Sequence, residues 1–283
     1  MMKKYSIFDL WLRVILFFSI CVILIFSFQS FVLPLVTTVF NNGEDYPLNI
    51  RLNIQRAMNG IVGIGLVYVF LRMDRLKMTS TGFLWDKSRA NEWILLSIPI
   101  ALAGLIPTVI IEWLFEIIII NELLDVLGIL LTLFVAIFFI GVGEEILFRG
   151  YLQRILESRY SFQNSALISA FLFGLLHFWL VAASNGGIRY MVTILFSAFV
   201  IGLTLSYTFK ITGYNLIFPV AIHGFWDFFL FIFQAEFIYD TWLQAIIEIC
   251  ASTIGALVIF LIVRYYAENY QKKPNQSSEE VSL

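Results

Sequence analysis

Charged residues are scarce in this 283-residue chain: they make up 13% of it, about half the roughly 25% that is usual in soluble domains. Hydrophobic residues account for 60% of the sequence, and its mean hydropathy is +0.88. A soluble fold would have to hide several apolar runs of about 20 residues, so we predict a polytopic membrane protein instead. The net charge of −2 gives no indication of nucleic-acid binding.

Cysteine and histidine are rarer still, with two residues of each. Cys21 and Cys250 lie in apolar segments at opposite ends of the chain, which excludes metal-ligand spacing and a disulfide framework. The first apolar run has no small-residue cleavage site, so we interpret it as an uncleaved helix rather than a signal peptide. Both histidines, His177 and His223, interrupt apolar segments, which marks them as candidate functional residues.

The apolar runs predict an all-α, polytopic transmembrane helix bundle of about eight spans with both termini cytoplasmic. All but three of the 18 Lys and Arg residues fall on one set of helix ends, which the positive-inside rule makes cytoplasmic. The exceptions are Arg51, Arg56 and Arg189. The predicted spans are, approximately, Val14–Leu35, Ile54–Leu71, Trp93–Leu114, Leu124–Gly143, Asn164–Ala183, Met191–Phe209, Tyr214–Phe233 and Trp242–Tyr265.

Four segments follow from this pattern. Residues 1–92 hold the first helices and a cytoplasmic loop, 93–233 a core, 234–269 the last transmembrane helix, and 270–283 a polar, disordered cytoplasmic tail. The longest loop, Arg72–Asn91, is mixed in charge and is predicted to be a solvated surface. The chain has no internal repeat and no Gly-rich phosphate-binding loop.

Two adjacent carboxylates and an arginine directly follow an apolar run, within Gly143–Gly150. Glu145 and Arg149 are four residues apart and share a helix face, where they can form a charge-assisted pair. Glu144 points about 100° away from Glu145 and is free for another partner. A solvated helix end at the cytoplasmic surface is the alternative, and these residues alone leave it open.

Each histidine lies in a predicted span of its own. For His177, a hydrogen-bonded packing residue is an equally good interpretation. Asp227 is one turn after His223, so it can orient that imidazole through the second ring nitrogen, while Pro219 can kink the same helix. At about 1.5 Å of rise per residue, these polar groups and Glu144 can share one depth, which favours a single site.

These residue types suit the hydrolysis of an amide by water. Carboxylates and imidazoles supply a general base and groups that bind a polarised carbonyl. They also match the ligand types of a zinc hydrolase. No serine or cysteine is placed beside a histidine as a nucleophile would be, so attack by water is the natural reaction class.

The sequence resembles the CPBP family, which unites type II CAAX prenyl endopeptidases with bacterial Abi proteins. The family pattern is Glu-Glu-x-x-x-Arg, then Phe-x-x-x-His, then His-x-x-x-Asn or Asp. This chain has Glu144-Glu145-Ile-Leu-Phe-Arg149, Phe173-Gly-Leu-Leu-His177 and His223-Gly-Phe-Trp-Asp227. The resemblance covers about residues 93–233, so it implies that the predicted core is a CAAX-protease-like catalytic core.

The resemblance implies an intramembrane endopeptidase in which Glu144 activates water, His177 helps to hold that water, and His223 with Asp227 faces the developing oxyanion. The eukaryotic CAAX enzymes typically have asparagine where this chain has Asp227. Because aspartate cannot donate a hydrogen bond unless it is protonated, it either carries a proton or orients His223.

The resemblance also implies supporting residues and leaves the cofactor open. Glu145 and Arg149 would fix the helix that carries the catalytic carboxylate. The family includes proteins described as metalloproteases and others described as needing no metal. A divalent metal such as zinc, if present, would be held by Glu144, His177 and His223.

The expected partners are a peptide or membrane-protein substrate and the lipid bilayer, in a bacterial plasma membrane with the site reached from the cytoplasmic side. The substrate, its prenylation and the oligomeric state stay open. A non-catalytic protein of the same family, acting in bacteriocin self-immunity or signalling regulation, is the main alternative. A proton-coupled transporter would also use acids and histidines at mid-membrane, but the inverted repeats that would support it are absent.

Overall fold

The computed structural model describes residues 5–35, 48–85, 89–178, 187–238 and 241–270, and the predicted tail beyond 270 lies outside them. The predicted all-α bundle of about eight helices is confirmed, while the orientation of the termini stays a prediction. The helices are α1 Ile7–Leu35, α2 Leu48–Met73, α3 Ala90–Leu114, α4 Val126–Leu156, α5 Phe162–Leu176, α6 Gly187–Ile211, α7 Ile217–Phe231 and α8 Trp242–Tyr270.

Two of the eight helices are shorter than the sequence predicted. Six helices of the described ranges are long and apolar enough to cross a membrane, whereas α5 and α7 have 15 residues each. At 1.5 Å per residue that is about 22 Å, against a hydrocarbon core of about 30 Å. Helix α5 ends at Leu176 with His177 as its C-cap, and α7 contains His223. The two short helices are therefore the ones that position the histidines, His177 just after α5 and His223 within α7.

Local hydrogen bonds set where the site-bearing helices begin. The Asp125 carboxylate accepts a hydrogen bond from the Gly128 amide at 2.7 Å and caps α4. The side-chain oxygen of Asn215 accepts one from the Ile217 amide at 2.9 Å, at the start of α7. Pro219 follows in the first turn of α7, where a missing N–H costs no intrahelical bond. Pro219 thus lies where α7 begins rather than in the helix interior, the position from which a proline can kink a helix.

Helices α2 and α4 approach each other closely through small residues. A Cβ added at Gly60 would lie 2.2 Å from the carbonyl oxygen of Phe139, and one at Gly63 would lie 3.2 Å from that of Gly143. Small residues let helix backbones touch in membrane proteins, where packing rather than the hydrophobic effect drives association. This contact fixes the register of α2 against the segment of α4 that precedes Glu144.

Replacing Gly60 with alanine is expected to destabilise the bundle by about 1–3 kcal/mol, because the added methyl group meets backbone that has little room to move. Gly65 is a matched control on the same helix, since a Cβ there has nothing within 4 Å. Gly65→Ala is expected to be neutral or slightly stabilising, as alanine favours helix. Thermal unfolding of both variants in detergent checks the difference, and equal unfolding temperatures would contradict it.

The loop Arg72–Asn91, predicted to be a solvated surface, packs in part against the bundle. Thr81 is fully buried, and Gly82 has a positive φ of 89°, a conformation that glycine adopts without strain. The Leu216 amide donates a hydrogen bond to the carbonyl of Gly82 at 2.9 Å. A Cβ at Gly150 would lie 2.8 Å from Thr81. The described part of this loop therefore contacts both the start of α7, through Leu216, and α4, through Gly150.

A short antiparallel ribbon lies at the other ends of these two helices. Strand β1, Ile118–Leu123, pairs with β2, Phe233–Phe237, with Ile118 opposite Phe237. The ribbon joins the connection before α4 to the connection after α7. Helices α4 and α7 are thus held together at both ends, by the ribbon and by the packed loop.

Candidate active site

Glu144 and Glu145 lie at an interruption in the helical geometry of α4. They belong to a four-residue α-helical stretch, Val142–Glu145, between two π-helical stretches at Ala136–Gly141 and Ile146–Gln153. A π-helical turn is wider than an α-helical one and changes the direction of the side chains on either side. Such segments are frequent at functional sites, and here they flank the two carboxylates.

Glu145 is the centre of a buried charge network between α4 and α7. Its Oε1 accepts hydrogen bonds from Nη1 of Arg149 at 2.7 Å and from Nδ1 of His223 at 2.8 Å. The side chains of Glu145 and Arg149 are fully buried, and that of His223 is 5% exposed. Because a carboxylate can only accept, Nδ1 of His223 carries the proton of that bond. The predicted Glu145–Arg149 pair is confirmed, and the same carboxylate holds the imidazole.

The second nitrogen of His223 faces two further carboxylates. Nε2 lies 3.8 Å from Oε2 of Glu144 and 3.6 Å from Oδ2 of Asp227. Both distances are too long for a direct hydrogen bond, but a bound polar molecule can bridge groups at such a separation. The Glu144 side chain is 23% exposed, and its Oε2 is buried without a hydrogen-bond partner among the described residues. Oε2 of Glu145 is likewise buried without a partner there, but it is Oε2 of Glu144 that faces Nε2 of His223.

Asp227 does not make the contact that its spacing predicts. Its distance from Nε2 of His223 is that of an ion pair rather than a hydrogen bond. Nδ1 of the same ring is hydrogen-bonded to Glu145. Glu145, from another helix, thus orients the imidazole, and Asp227 faces the nitrogen that points toward Glu144.

His177 lies beside this group, across an aromatic ring. Its Nδ1 is 2.8 Å from the carbonyl oxygen of Phe173, so this nitrogen donates and Nε2 is left as an acceptor. The Phe173 ring centre is 4.6 Å from that of His177 and 5.9 Å from that of His223. Within the described ranges, no hydrogen bond joins His177 to Glu144. The structure therefore brings Glu144, His223 and their partners together and sets His177 next to them through Phe173.

The question of a metal ion turns on the free nitrogen of each histidine. Nδ1 has a partner in both rings, Glu145 for His223 and the Phe173 carbonyl for His177, so Nε2 is the nitrogen open to a ligand. In the part of the chain that the structure describes, no group of three or more His, Cys, Asp or Glu side chains could hold a metal. Glu144, His177 and His223 therefore form no such group among the described residues.

Arg56 was predicted to lie at a helix end, on the side opposite the cytoplasm. The second span was predicted to begin at Ile54, two residues before Arg56, whereas α2 begins at Leu48, eight residues before it. Its guanidinium carbon is 3.5 Å from the ring centre of Phe231, the last residue of α7. The signal that could have found it is an arginine four residues before Gly60, on the helix face that meets α4.

The part of the chain that contains these residues matches a known protein family. Residues 126–229 match the family model of the type II CAAX prenyl endopeptidase Rce1-like proteins. The matched region is a little over a third of the chain and runs from the start of α4 almost to the end of α7. It therefore includes all six predicted site residues and excludes α2. No curated protein matches the chain.

Proposed function

We propose that this integral membrane protein, whose residues 126–229 match the family model of the type II CAAX prenyl endopeptidase Rce1-like proteins, is an intramembrane endopeptidase in which Glu144 activates the attacking water. One observation carries the proposal. A carboxylate oxygen with no hydrogen-bond partner in the described residues lies 3.8 Å from a histidine nitrogen that the neighbouring glutamate holds in place. A general base and an electrophilic group thus face the same small space.

In the first step, Glu144 takes a proton from the water, and the water oxygen attacks the carbonyl carbon of the scissile amide. The carbonyl oxygen becomes an oxyanion. His223, held at Nδ1 by Glu145, has only Nε2 available to the substrate, and in its protonated form it donates a hydrogen bond to this oxygen. The protonated Glu144 then gives its proton to the amide nitrogen as the C–N bond breaks, which releases an amine and a carboxylic acid.

Two further side chains have supporting roles in this proposal. His177 keeps Nε2 free as an acceptor, because Nδ1 donates to the Phe173 carbonyl, so it can accept a hydrogen bond from the attacking water. Asp227 lies 3.6 Å from Nε2 of His223 and stabilises the positive charge on that ring when Nε2 is protonated. In this proposal Asp227 stands where the eukaryotic enzymes have asparagine. It acts through its negative charge, whereas asparagine would donate a hydrogen bond.

The substrate proposed is a membrane-associated peptide or protein, and the proposed location is a bacterial plasma membrane with access from the cytoplasmic side. The distribution of Lys and Arg supports this orientation. Whether the substrate is prenylated is decided by the same assay, with prenylated and unmodified peptides compared.

The test is cleavage of membrane peptides by the purified protein in lipid vesicles, followed by mass spectrometry. We expect a new pair of termini and the incorporation of one ¹⁸O atom from labelled water into the new carboxylate. The His223→Ala variant is expected to lose this activity while keeping its helical content. Absence of cleavage for all peptides, together with a cellular phenotype that survives Glu144→Gln, would contradict the proposal and favour a non-catalytic immunity or scaffold protein.

A further inference from the structure

Helices α3 and α8 pack together along a row of small and polar residues that is separate from the candidate active site. A Cβ added at Gly104 would lie 2.7 Å from Cγ1 of Ile259, and one at Gly255 would lie 2.6 Å from the carbonyl oxygen of Gly104. One turn further along α3, the Thr108 hydroxyl donates to the carbonyl oxygen of Ala251 at 3.2 Å. The two helices are therefore antiparallel, and their backbones are in close contact here.

The same register brings two glutamates together at the next turn. Glu112 follows Thr108 by four residues and Glu248 precedes Ala251 by three, so each lies one turn nearer the end of its helix that adjoins the β-ribbon. Glu112 is 2% exposed and Glu248 is 6% exposed, and their carboxyl groups are within hydrogen-bonding reach of each other. Both lie outside residues 126–229, so the family match does not account for them.

In the described part of the chain, Glu112 and Glu248, here termed the acid pair, have no cation in contact with them. Oε2 of each carboxyl group is buried without a hydrogen-bond donor there, and Oε1 of Glu248 accepts from the Ser252 hydroxyl at 2.9 Å. The elements that pack against α3 and α8 contain these other titratable residues: Glu116 and Glu122 in and before β1, Arg189, Tyr190, Tyr207 and Lys210 on α6, and His223 and Asp227 on α7. Among the described side chains, the charge that acts on Glu112 is that of Glu248.

Two carboxyl groups in contact in a buried position cannot both be ionised, and such pairs hold a proton between them. A hard cation would need about six or more oxygen ligands. The two hydroxyl groups beside the acid pair are already engaged, that of Thr108 with the carbonyls of Gly104 and Ala251 and that of Ser252 with Glu248. A shared proton therefore satisfies the acid pair with the groups that surround it.

We propose that Glu112 and Glu248 share one proton and thereby form a pH-sensitive contact between α3 and α8. The contact lies behind the helix that carries His223, because a Cβ at Gly255 would lie 3.1 Å from Cη2 of Trp226 on α7. Loss of the proton places two negative charges against each other and weakens the packing of α3 on α8, and with it the support of α7. This device is independent of the proposed endopeptidase activity.

The pH dependence of this contact has a definite sign. In the unfolded chain both glutamates are ionised above about pH 5, whereas the folded acid pair keeps one proton at neutral pH, so unfolding releases it. The folded state must then lose stability as the pH rises, with the unfolding equilibrium constant growing by up to about tenfold per pH unit. The loss ends where the folded acid pair has also released its proton, and below about pH 4 the pair contributes no slope.

Equilibrium unfolding of the full chain by SDS in mixed micelles, followed by circular dichroism from about pH 6 to pH 9, tests the proposal. Glu112→Gln replaces the shared proton with an amide N–H and keeps the single negative charge, so this variant is expected to fold. Its unfolding constant is expected to rise less steeply with pH than that of the wild type, by a factor of up to about ten per pH unit. Glu248→Gln gives the same test from the other helix.

Glu92→Gln is the matched control. Glu92 also joins α3 to α8, at their other ends, where it accepts a hydrogen bond from the Tyr266 hydroxyl at 2.6 Å. No second carboxyl group takes part in that bond, so Glu92→Gln is expected to keep the pH slope of the wild type.

Three results would overturn the shared proton. The first is an equal pH slope in the wild type and in Glu112→Gln, and the second is failure of both glutamine variants to fold at neutral pH. The third is an unfolding midpoint of the wild type that sodium or calcium chloride raises above its value in choline chloride of equal ionic strength, with the rise lost in Glu112→Gln. That result would assign a bound cation to the acid pair. No substrate enters these measurements, so they stand whether or not the protein cleaves peptides.

Discussion

Replacing Glu144 with glutamine is expected to lower the rate of peptide cleavage by about 100- to 10,000-fold, the range typical of a lost general base. Glutamine keeps the size of the side chain and its hydrogen-bonding oxygen but cannot take a proton from water. Oε2 of Glu144 has no hydrogen-bond partner among the described residues, so the change breaks no contact that supports the fold. The measurement is the initial rate of cleavage in lipid vesicles, with thermal unfolding of the same preparation.

Glu112 provides the matched control for this prediction. It is also a carboxylate within a membrane helix, 2% exposed on α3, and it lies next to Glu248 of α8 rather than near His223. Glu112→Gln is expected to leave the cleavage rate unchanged, because that carboxyl group does not face the reacting atoms. If Glu144→Gln kept more than about a tenth of the activity, Glu144 would not be the general base.

The contacts that were predictable from the sequence are the ones within a single helix. The Glu145–Arg149 pair follows from four-residue spacing, which places two side chains on one face whatever the surrounding fold. The presence of eight helices follows from the apolar runs for a similar reason, since backbone hydrogen bonds in lipid must be satisfied within a segment. Local geometry fixes these features before any tertiary contact forms.

The different roles of the two glutamates, Glu144 as the proposed base and Glu145 as the residue that orients His223, were predictable only in part. Spacing indicated that Glu144 and Glu145 point in different directions, but the bond from Glu145 to His223 joins residues 78 positions apart. Such a contact depends on how α4 packs on α7, and the π-helical stretches that flank Glu144 and Glu145 alter the facing of the side chains. Asp227 is nearer to His223 in sequence, so the four-residue spacing predicts it as the orienting residue.

The position of Arg56 also depends on a contact between distant helices, which the sequence pattern does not predict. A charged residue near the end of an apolar run indicates the boundary of the membrane segment. The second span was therefore predicted to begin just before Arg56. In the structure α2 begins at Leu48, and Arg56 lies over the Phe231 ring of α7. An aromatic surface from a distant helix accommodates the cation there, and hydropathy along one helix contains no information about it.

Replacing Arg149 with alanine is expected to destabilise the protein by about 3–5 kcal/mol, the usual result of removing one partner from a buried ion pair. Arg149 donates to Oε1 of Glu145 at 2.7 Å and to the Gly202 carbonyl at 3.0 Å, and it stacks on the Phe173 ring at 4.6 Å. The truncation removes all three contacts and leaves the fully buried Glu145 with only His223 as a partner. Thermal or denaturant unfolding in detergent measures the loss.

Two comparisons show whether the loss comes from the buried charge. Arg264→Ala removes an exposed pair with Glu268, whose side chains are 59% and 55% exposed, and is expected to leave the unfolding transition where it is. Combining Arg149→Ala with Glu145→Gln is expected to cost less than the sum of the two single changes, because the second change removes the charge that the first one left unpaired. Additive losses would instead mean that Arg149 stabilises the fold through Phe173 and Gly202 alone. The site would then owe the position of Glu145 to packing rather than to its arginine.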